Sequence, residues 1–269
     1  MNLLEARVAL RPRPMSDLLD LAAPFCFANR RLLLPLAMAV VAMGGLIAWV
    51  CRMKLGWDWD AVWLVVTGYD LLTIGLYTQA AGELLFRRAE DVRAAQVLGR
   101  FLRRFPSYLI ARVVQVLVLT LSTVLLVPLP IFAARFFFVG EAVLLESGSP
   151  FGSLARSSRL VLFRTFSCLG LALSALCAPF FFALAAELIG GALVEMVFQM
   201  GRPFGSLFAD GGSAYAVAGV LLSAPFVAAA GFLAYIDMRT RKEGWDIQLR
   251  FMALAESERK TGKNRSLAS

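Results

Sequence analysis

Five long apolar runs decide what this chain can become. Residues 32–50, 113–134, 165–186 and 211–236 contain no charged side chain, and 61–82 contains one, Asp70. A helix needs about 20 apolar residues to cross the hydrocarbon core of a bilayer. Each run therefore predicts a membrane-spanning helix. With 59% AVILMFWYC and 17% charged residues, against roughly 25% charged in soluble domains, the composition excludes a soluble globular domain, a disordered chain and a disulfide scaffold. The expected fold class is all-α, a polytopic membrane bundle of about six transmembrane helices with interfacial amphipathic helices. Residues 1–249 are expected to form one domain, and 250–269 a polar cytoplasmic tail.

The sixth span is expected at 131–147, which carries Arg135 and Glu141 among its apolar residues. Pro128 and Pro130 suit a tight turn between helices 109–127 and 131–147. The alternative is one span followed by an interfacial segment. Charge favours six. Threaded six times, the chain places 22 of its 27 Lys and Arg on one side and only Arg52, Lys54 and Arg202 on the other; Arg112 and Arg135 lie in or near spans. Cytoplasmic loops carry the Lys/Arg excess, so both termini are expected in the cytoplasm of a cell with the protein in its inner membrane. The run at 32–50 is too long for a signal-peptide core and is expected to stay as the first anchor.

Amphipathic stretches precede the first, third and fifth spans, near 16–28, 85–105 and 150–161. The first has Ser16 as N-cap and Asp17 in its opening turn. The second interleaves Leu98, Phe101, Leu102 and Phe105 with Arg87, Arg88, Arg93, Arg100, Arg103 and Arg104. The third has Pro150 at its first position and is expected to bury Phe151, Leu154 and Val161. Basic amphipathic helices lie in the membrane interface, so three units of surface helix plus hairpin are expected.

Three groups of polar residues are candidates for function. Asp70, Arg112, Arg135 and Glu141 form a candidate buried polar network, because ionisable groups at membrane depth are costly and commonly functional. Arg156, Ser157 and Arg159 are candidate lipid head-group contacts, since guanidinium and hydroxyl donors suit phosphate. Asp237, Arg239, Arg241, Lys242, Glu243 and Asp246 follow the last span. They either close the cytoplasmic face with salt bridges or form a docking motif. Glu187 and Glu195, eight residues apart, fit a solvated face better than a cation site, near a 187–213 loop resting on the membrane. The chain has no histidine, which removes the commonest general base and His-ligated zinc. Cys26, Cys51, Cys168 and Cys177 form no C-x-x-C pair and read as small hydrophobes. No cofactor or metal is expected.

Several motifs taken together carry a resemblance. They are Leu10-Arg11-Pro12-Arg13-Pro14-Met15-Ser16-Asp17 with Asn29-Arg30-Arg31, then Arg135-Phe136-Phe137-Phe138-Val139-Gly140-Glu141 with Ser153-Leu154-Ala155-Arg156-Ser157-Ser158-Arg159, and finally Tyr235-Ile236-Asp237-Met238-Arg239 through Gly244-Trp245-Asp246. In that order, the chain resembles a bacterial group of six-span proteins. That group includes the membrane domain attached to some glycerophosphoryl diester phosphodiesterases, and stand-alone homologues. Trp245 and Gln248 depart from its closing motif. The resemblance implies a helical membrane protein. The phosphodiesterase chemistry belongs to a separate soluble domain that no residue here matches.

The function expected from these features is a non-enzymatic scaffold or regulatory component of the cell envelope. The alternative is a transporter or lipid-handling protein using membrane-depth acids and interfacial arginines. The expected partners are membrane lipids, especially anionic head groups, and other membrane or cytoplasmic proteins. Nucleic acid is not expected, because the basic residues are spread over several loops beside spans.

Overall fold

The computed structural model describes residues 14–85, 87, 90–124, 128–146, 148–162, 164–199 and 203–243. The helices are α1 (Met15–Ala28), α2 (Arg30–Trp49), α3 (Trp59–Leu84), α4 (Ala94–Thr123), α5 (Pro128–Arg135), α6 (Val139–Glu146), α7 (Pro150–Val161), α8 (Thr165–Ala192), α9 (Leu207–Asp210) and α10 (Ala214–Glu243). Two-residue strands β1 (Gly205–Ser206) and β2 (Gly212–Ser213) pair antiparallel before α10. The protein is an all-α membrane helix bundle. Five helical stretches are long and apolar enough to cross a membrane: Arg30–Lys54, Trp59–Leu84, Ala94–Thr123, Thr165–Val197 and Ala214–Lys242. Four of the five apolar runs supply one each, and the run 113–134 is divided between the second half of α4 and α5. Leu64, Leu121, Phe166, Leu176 and Phe181 stand exposed on their outer faces, a surface that suits lipid and would be a large apolar patch in water.

The last span is the centre of the bundle. α10 packs on α8, α3, α1 and α2, and Val217, Leu221, Ala224, Ala228, Phe232 and Tyr235 are buried along it. Its many alanines let several neighbours approach closely, as small residues do in membrane bundles. α1 occupies the first predicted surface stretch but is not a free surface helix. Leu18 and Ala22 are buried, Phe25 packs on Phe232, and the Cys26 thiol donates to the Pro225 carbonyl at 3.5 Å.

The bundle has two chemically distinct ends. At one, Trp49, Trp57, Trp59 and Trp63 cluster around the α2–α3 connection, and the Trp63 indole donates to the Gly211 carbonyl at 2.9 Å. Tryptophan favours membrane–water interfaces. Here Glu187 accepts from the Leu207 backbone at 2.9 Å and from the Ser213 hydroxyl, pinning the 205–213 hairpin. Glu187 is thus a loop anchor and is buried rather than part of a solvated face, and 187–192 continues α8 instead of opening a loop. At the other end, arginines gather: Arg31 pairs with Glu90 at 2.6 Å and Arg100 with Glu83 at 2.8 Å.

Two expectations need correction. The predicted surface helix at 85–105 is not a separate element. Leu85, Arg87 and 90–93 are non-helical, and α4 then runs unbroken from Ala94 through Pro106 to Thr123. Membrane helices tolerate an interior proline because neighbours satisfy the freed carbonyl, so the arginine-rich stretch 94–105 is continuous with the apolar half of α4. The region 131–147 is not one helix either. α5 and α6 are eight residues each, parted by tight turns in which Phe137 N–H bonds Ala134 C=O and Val139 N–H bonds Phe136 C=O, both at 3.3 Å.

That break lies among aromatic rings and has a visible compensation. Four phenylalanines crowd it: Phe132 stacks on Phe136 at 5.8 Å, and Phe137 meets Phe138 edge-on at 5.1 Å. Breaking a helix among apolar neighbours frees carbonyls that lipid cannot satisfy. Side chains of other helices take over. Gln115 Nε2 donates to Phe136 O at 2.9 Å, Ser157 Oγ to Arg135 O at 2.7 Å, and Arg104 to Leu144 O. The pairs 115–136 and 104–144 also fix direction. The broken segment runs antiparallel to α4, back to the arginine end.

Candidate functional site

The arginine end opens into a cleft of about 550 Å³ between the end of α3, the first half of α4, α6 and α10. Its rim is cationic: Arg87 precedes α4, Arg100, Arg103 and Arg104 come from α4, and Arg239 from α10. Its one carboxylate is Glu83, paired with Arg100. Its floor is apolar, built from Leu85, Leu144 and Phe232, all buried. Helical spacing explains the rim. Arg100, Arg103 and Arg104 stand three and four residues apart on one face, beside the α3 turn that carries Gln79 and Glu83, also four apart.

These arginines are not equivalent. Arg100 holds Glu83, and Arg104 is spent on the Leu144 carbonyl. Arg239 lies 3.5 Å from Glu146 and over the Tyr235 ring at 5.9 Å. Arg87 and Arg103 are exposed and have no ion-pair partner among the described residues. Gln79, 7% exposed, lines the cleft, and its amide oxygen has no hydrogen-bond partner.

Glu146 organises the adjoining wall. It accepts from Arg156 Nε at 2.9 Å and Nη2 at 3.1 Å, a two-point clamp, and from the Tyr235 hydroxyl.

Of the three predicted head-group contacts, Arg156 is clamped to Glu146 and Ser157 is fully buried, donating to Arg135 O. Arg159 is exposed, and its backbone carbonyl accepts from Lys242. The helix itself forms as expected, with Ser149 capping Gly152 N–H at 3.2 Å and Pro150 in its first turn. Its buried face is Ser153, Ser157, Leu160 and Val161, while Phe151 is exposed.

The membrane-depth residues separate into two groups. Arg112 donates to the Tyr108 hydroxyl at 3.0 Å and to Gln115 Oε1 at 2.8 Å, and Tyr108 donates to Leu71 O at 2.7 Å. Glu141 lies within electrostatic reach of Arg112 without a direct ion pair. Three glycines make room for this chain. A Cβ at Gly75 would sit 2.6 Å from Tyr108, one at Gly140 2.5 Å from Arg112, and one at Gly231 2.7 Å from Glu141. Asp70 stands apart, paired with neither Arg112 nor Arg135; its Oδ1 and Arg135 Nε lack hydrogen-bond partners. The predicted four-residue network is thus Arg112 and Glu141, extended by Tyr108 and Gln115.

The tail motif turns inward. Asp237 pairs with Arg241 one helical turn on, at 2.7 Å, Arg239 faces Glu146, and Lys242 reaches α7. Of the two roles expected for it, closing the face is the one these contacts fit. The Glu243 side chain, Asp246 and the tail 250–269 lie outside the described residues. The four cysteines are free, and no cluster of three or more metal-ligating side chains occurs among the described residues.

Sequence reasoning missed the cleft. It recognised Arg87, Arg100, Arg103 and Arg104 but assigned them to a surface helix. Gln79 and Glu83, a polar pair four residues apart at the end of an apolar run, were the signal that this end of α3 faces something polar. No family model, no curated protein and no solved structure matches the chain.

Proposed function

We propose that this chain is a non-catalytic, lipid-handling protein of the cytoplasmic membrane that holds an anionic phospholipid head group in the arginine cleft. The observation that carries the reading is the cleft's charge: among the described residues, five arginines and one carboxylate line it, and Arg87 and Arg103 have no ion-pair partner. Guanidinium groups bind phosphate oxygens through charge-assisted, often paired hydrogen bonds. The apolar floor suits the carbon skeleton beneath a head group.

The threading supports the same reading. With α5 and α6 counted as a broken sixth crossing, the start of α2 and the end of α10 share the arginine end, and the Lys/Arg excess assigns that end to the cytoplasm. The cleft then opens at the depth of the inner leaflet's phosphates, where anionic lipid concentrates. The scaffold reading leaned in part on the tail, whose described charges, Asp237, Arg239, Arg241 and Lys242, are engaged within the chain. The lipid-handling reading needs only groups that face the cleft.

The test is lipid retention. The protein is purified in mild detergent, exposed to equal amounts of phosphatidylglycerol and phosphatidylcholine, and weighed by native mass spectrometry. The expected result is retained phosphatidylglycerol, reduced about tenfold in the Arg87→Ala/Arg103→Ala double variant, equivalent to ~1.4 kcal/mol. Equal retention of the two lipids, or no effect of the double variant, would overturn the reading.

A further inference from the structure

The cleft offers more than positive charge. Gln79 and Glu83 are both more than nine-tenths buried, both line it, and share one face of α3. One Glu83 oxygen pairs with Arg100 and the other has no hydrogen-bond partner. The Gln79 amide oxygen is likewise an acceptor with no donor, and it has no ion pair. A buried acceptor left alone costs ~1–3 kcal/mol, so an unpaired one in the wall of a cleft points to a ligand that brings the donor.

We infer that the cleft selects a phosphate joined to a hydroxyl-bearing unit, a polyol-phosphate head group. The phosphate lies on Arg87 and Arg103, and a ligand hydroxyl donates to the Gln79 amide oxygen. The rim sets these two kinds of group, donors for the phosphate and an acceptor for the hydroxyl, around one cavity of about 550 Å³. That is within the range of small-molecule sites.

Other head groups fit less well. A choline head group has no donor for Gln79. An ammonium has donors, but it enters a field of five guanidiniums of which only Arg100 and Arg239 face a carboxylate, Glu83 and Glu146, and like charges repel. A bare phosphate monoester satisfies the arginines and leaves Gln79 without a hydroxyl. Among common bilayer lipids, phosphatidylglycerol carries both features. A soluble glycerol phosphate carries them too.

This inference rests on the lipid-binding reading for its occupant, and the experiment separates the two. Purified full-length protein is presented with phosphatidylglycerol, phosphatidate, phosphatidylethanolamine and phosphatidylcholine in equal amounts, and retained lipid is weighed. Thermal shifts with glycerol phosphate and with inorganic phosphate form the soluble arm. Phosphatidylglycerol is expected to exceed phosphatidate about fivefold, the equivalent of one hydrogen bond. Gln79→Leu should abolish that preference while anionic lipid still exceeds phosphatidylcholine. Gln79→Met, closer in shape, gives the same readout should the leucine variant fold poorly. Equal retention of phosphatidylglycerol and phosphatidate in the wild type, or a preference that survives both substitutions, overturns the inference and leaves anionic-lipid binding standing. Retention of phosphatidylcholine equal to the anionic lipids overturns both. Stabilisation by glycerol phosphate beyond inorganic phosphate, with no lipid retained, supports the head-group chemistry and overturns the membrane-lipid occupant.

Discussion

Single side chains decide whether the arginine end holds together, and Glu146 is the most heavily used. Its carboxylate meets Arg156, Tyr235 and Arg239 from two other helices. Glu146→Gln should lower the melting temperature in detergent at neutral pH, at a cost of about 1.5–3 kcal/mol for each charged hydrogen bond lost. A variant that melts with the wild type would remove Glu146 from this role. Gln115 makes a second residue-scale case. Gln115→Leu leaves the Phe136 carbonyl and one Arg112 nitrogen unpaired, and should cost about 1–3 kcal/mol for each group stranded, read as lost thermal stability. Much of this chemistry escaped the sequence. Gln115 lies in an uncharged apolar run, and only the break in a segment twenty residues later explains why an amide belongs there.

At the scale of elements, spacing and composition revealed the straight helices and concealed the broken one. Length and hydropathy suffice to read α2, α3, α8 and α10, because lipid demands little more of a span. The Phe136–Phe138 break depends on donors from α4 and α7, which no local pattern encodes. The boundary between the presumed surface helix at 85–105 and its span was misplaced for the opposite reason: Pro106 looks like a stop but sits within α4. The glycines around Arg112 are packing devices of the same scale. Gly140→Ala brings a methyl to 2.5 Å from the Arg112 guanidinium, and overpacking of this kind costs ~1–3 kcal/mol. Gly45→Ala, where a Cβ meets nothing within 4 Å, should be neutral or slightly stabilising. Equal melting temperatures for the two variants would show that α6 is not held tightly against α4. At α7, Ser149→Ala removes the Gly152 cap and should cost ~0.5–2 kcal/mol.

For the whole molecule, the contrast between an arginine end and a tryptophan end predicts how the chain sits in a cell. Single cysteines introduced at Glu90 and at Leu55, in a background without the four native ones, should label from opposite sides. Leu55→Cys should react with an impermeant maleimide on intact cells, and Glu90→Cys only after permeabilisation. The reverse pattern would place the cleft outside, away from the cytoplasmic leaflet. Fold class and five long apolar helices were readable at this scale because the membrane imposes them on the sequence directly. The cleft was not, because it is assembled from α3, α4, α6 and α10, residues 79 to 239, and no local window spans that distance.

The placement of α10 has a consequence for biogenesis. The helix that touches most of the others is also the last of the described helices to leave the ribosome. Until residue 243 has been synthesised, α2, α3 and α8 have no common partner, and the wall of the cleft that bears Tyr235 and Arg239 does not exist. Earlier segments must therefore wait in the bilayer with their inward faces uncovered, and a ribosome stalled before Ala214 would release a product that quality-control proteases can recognise by those faces.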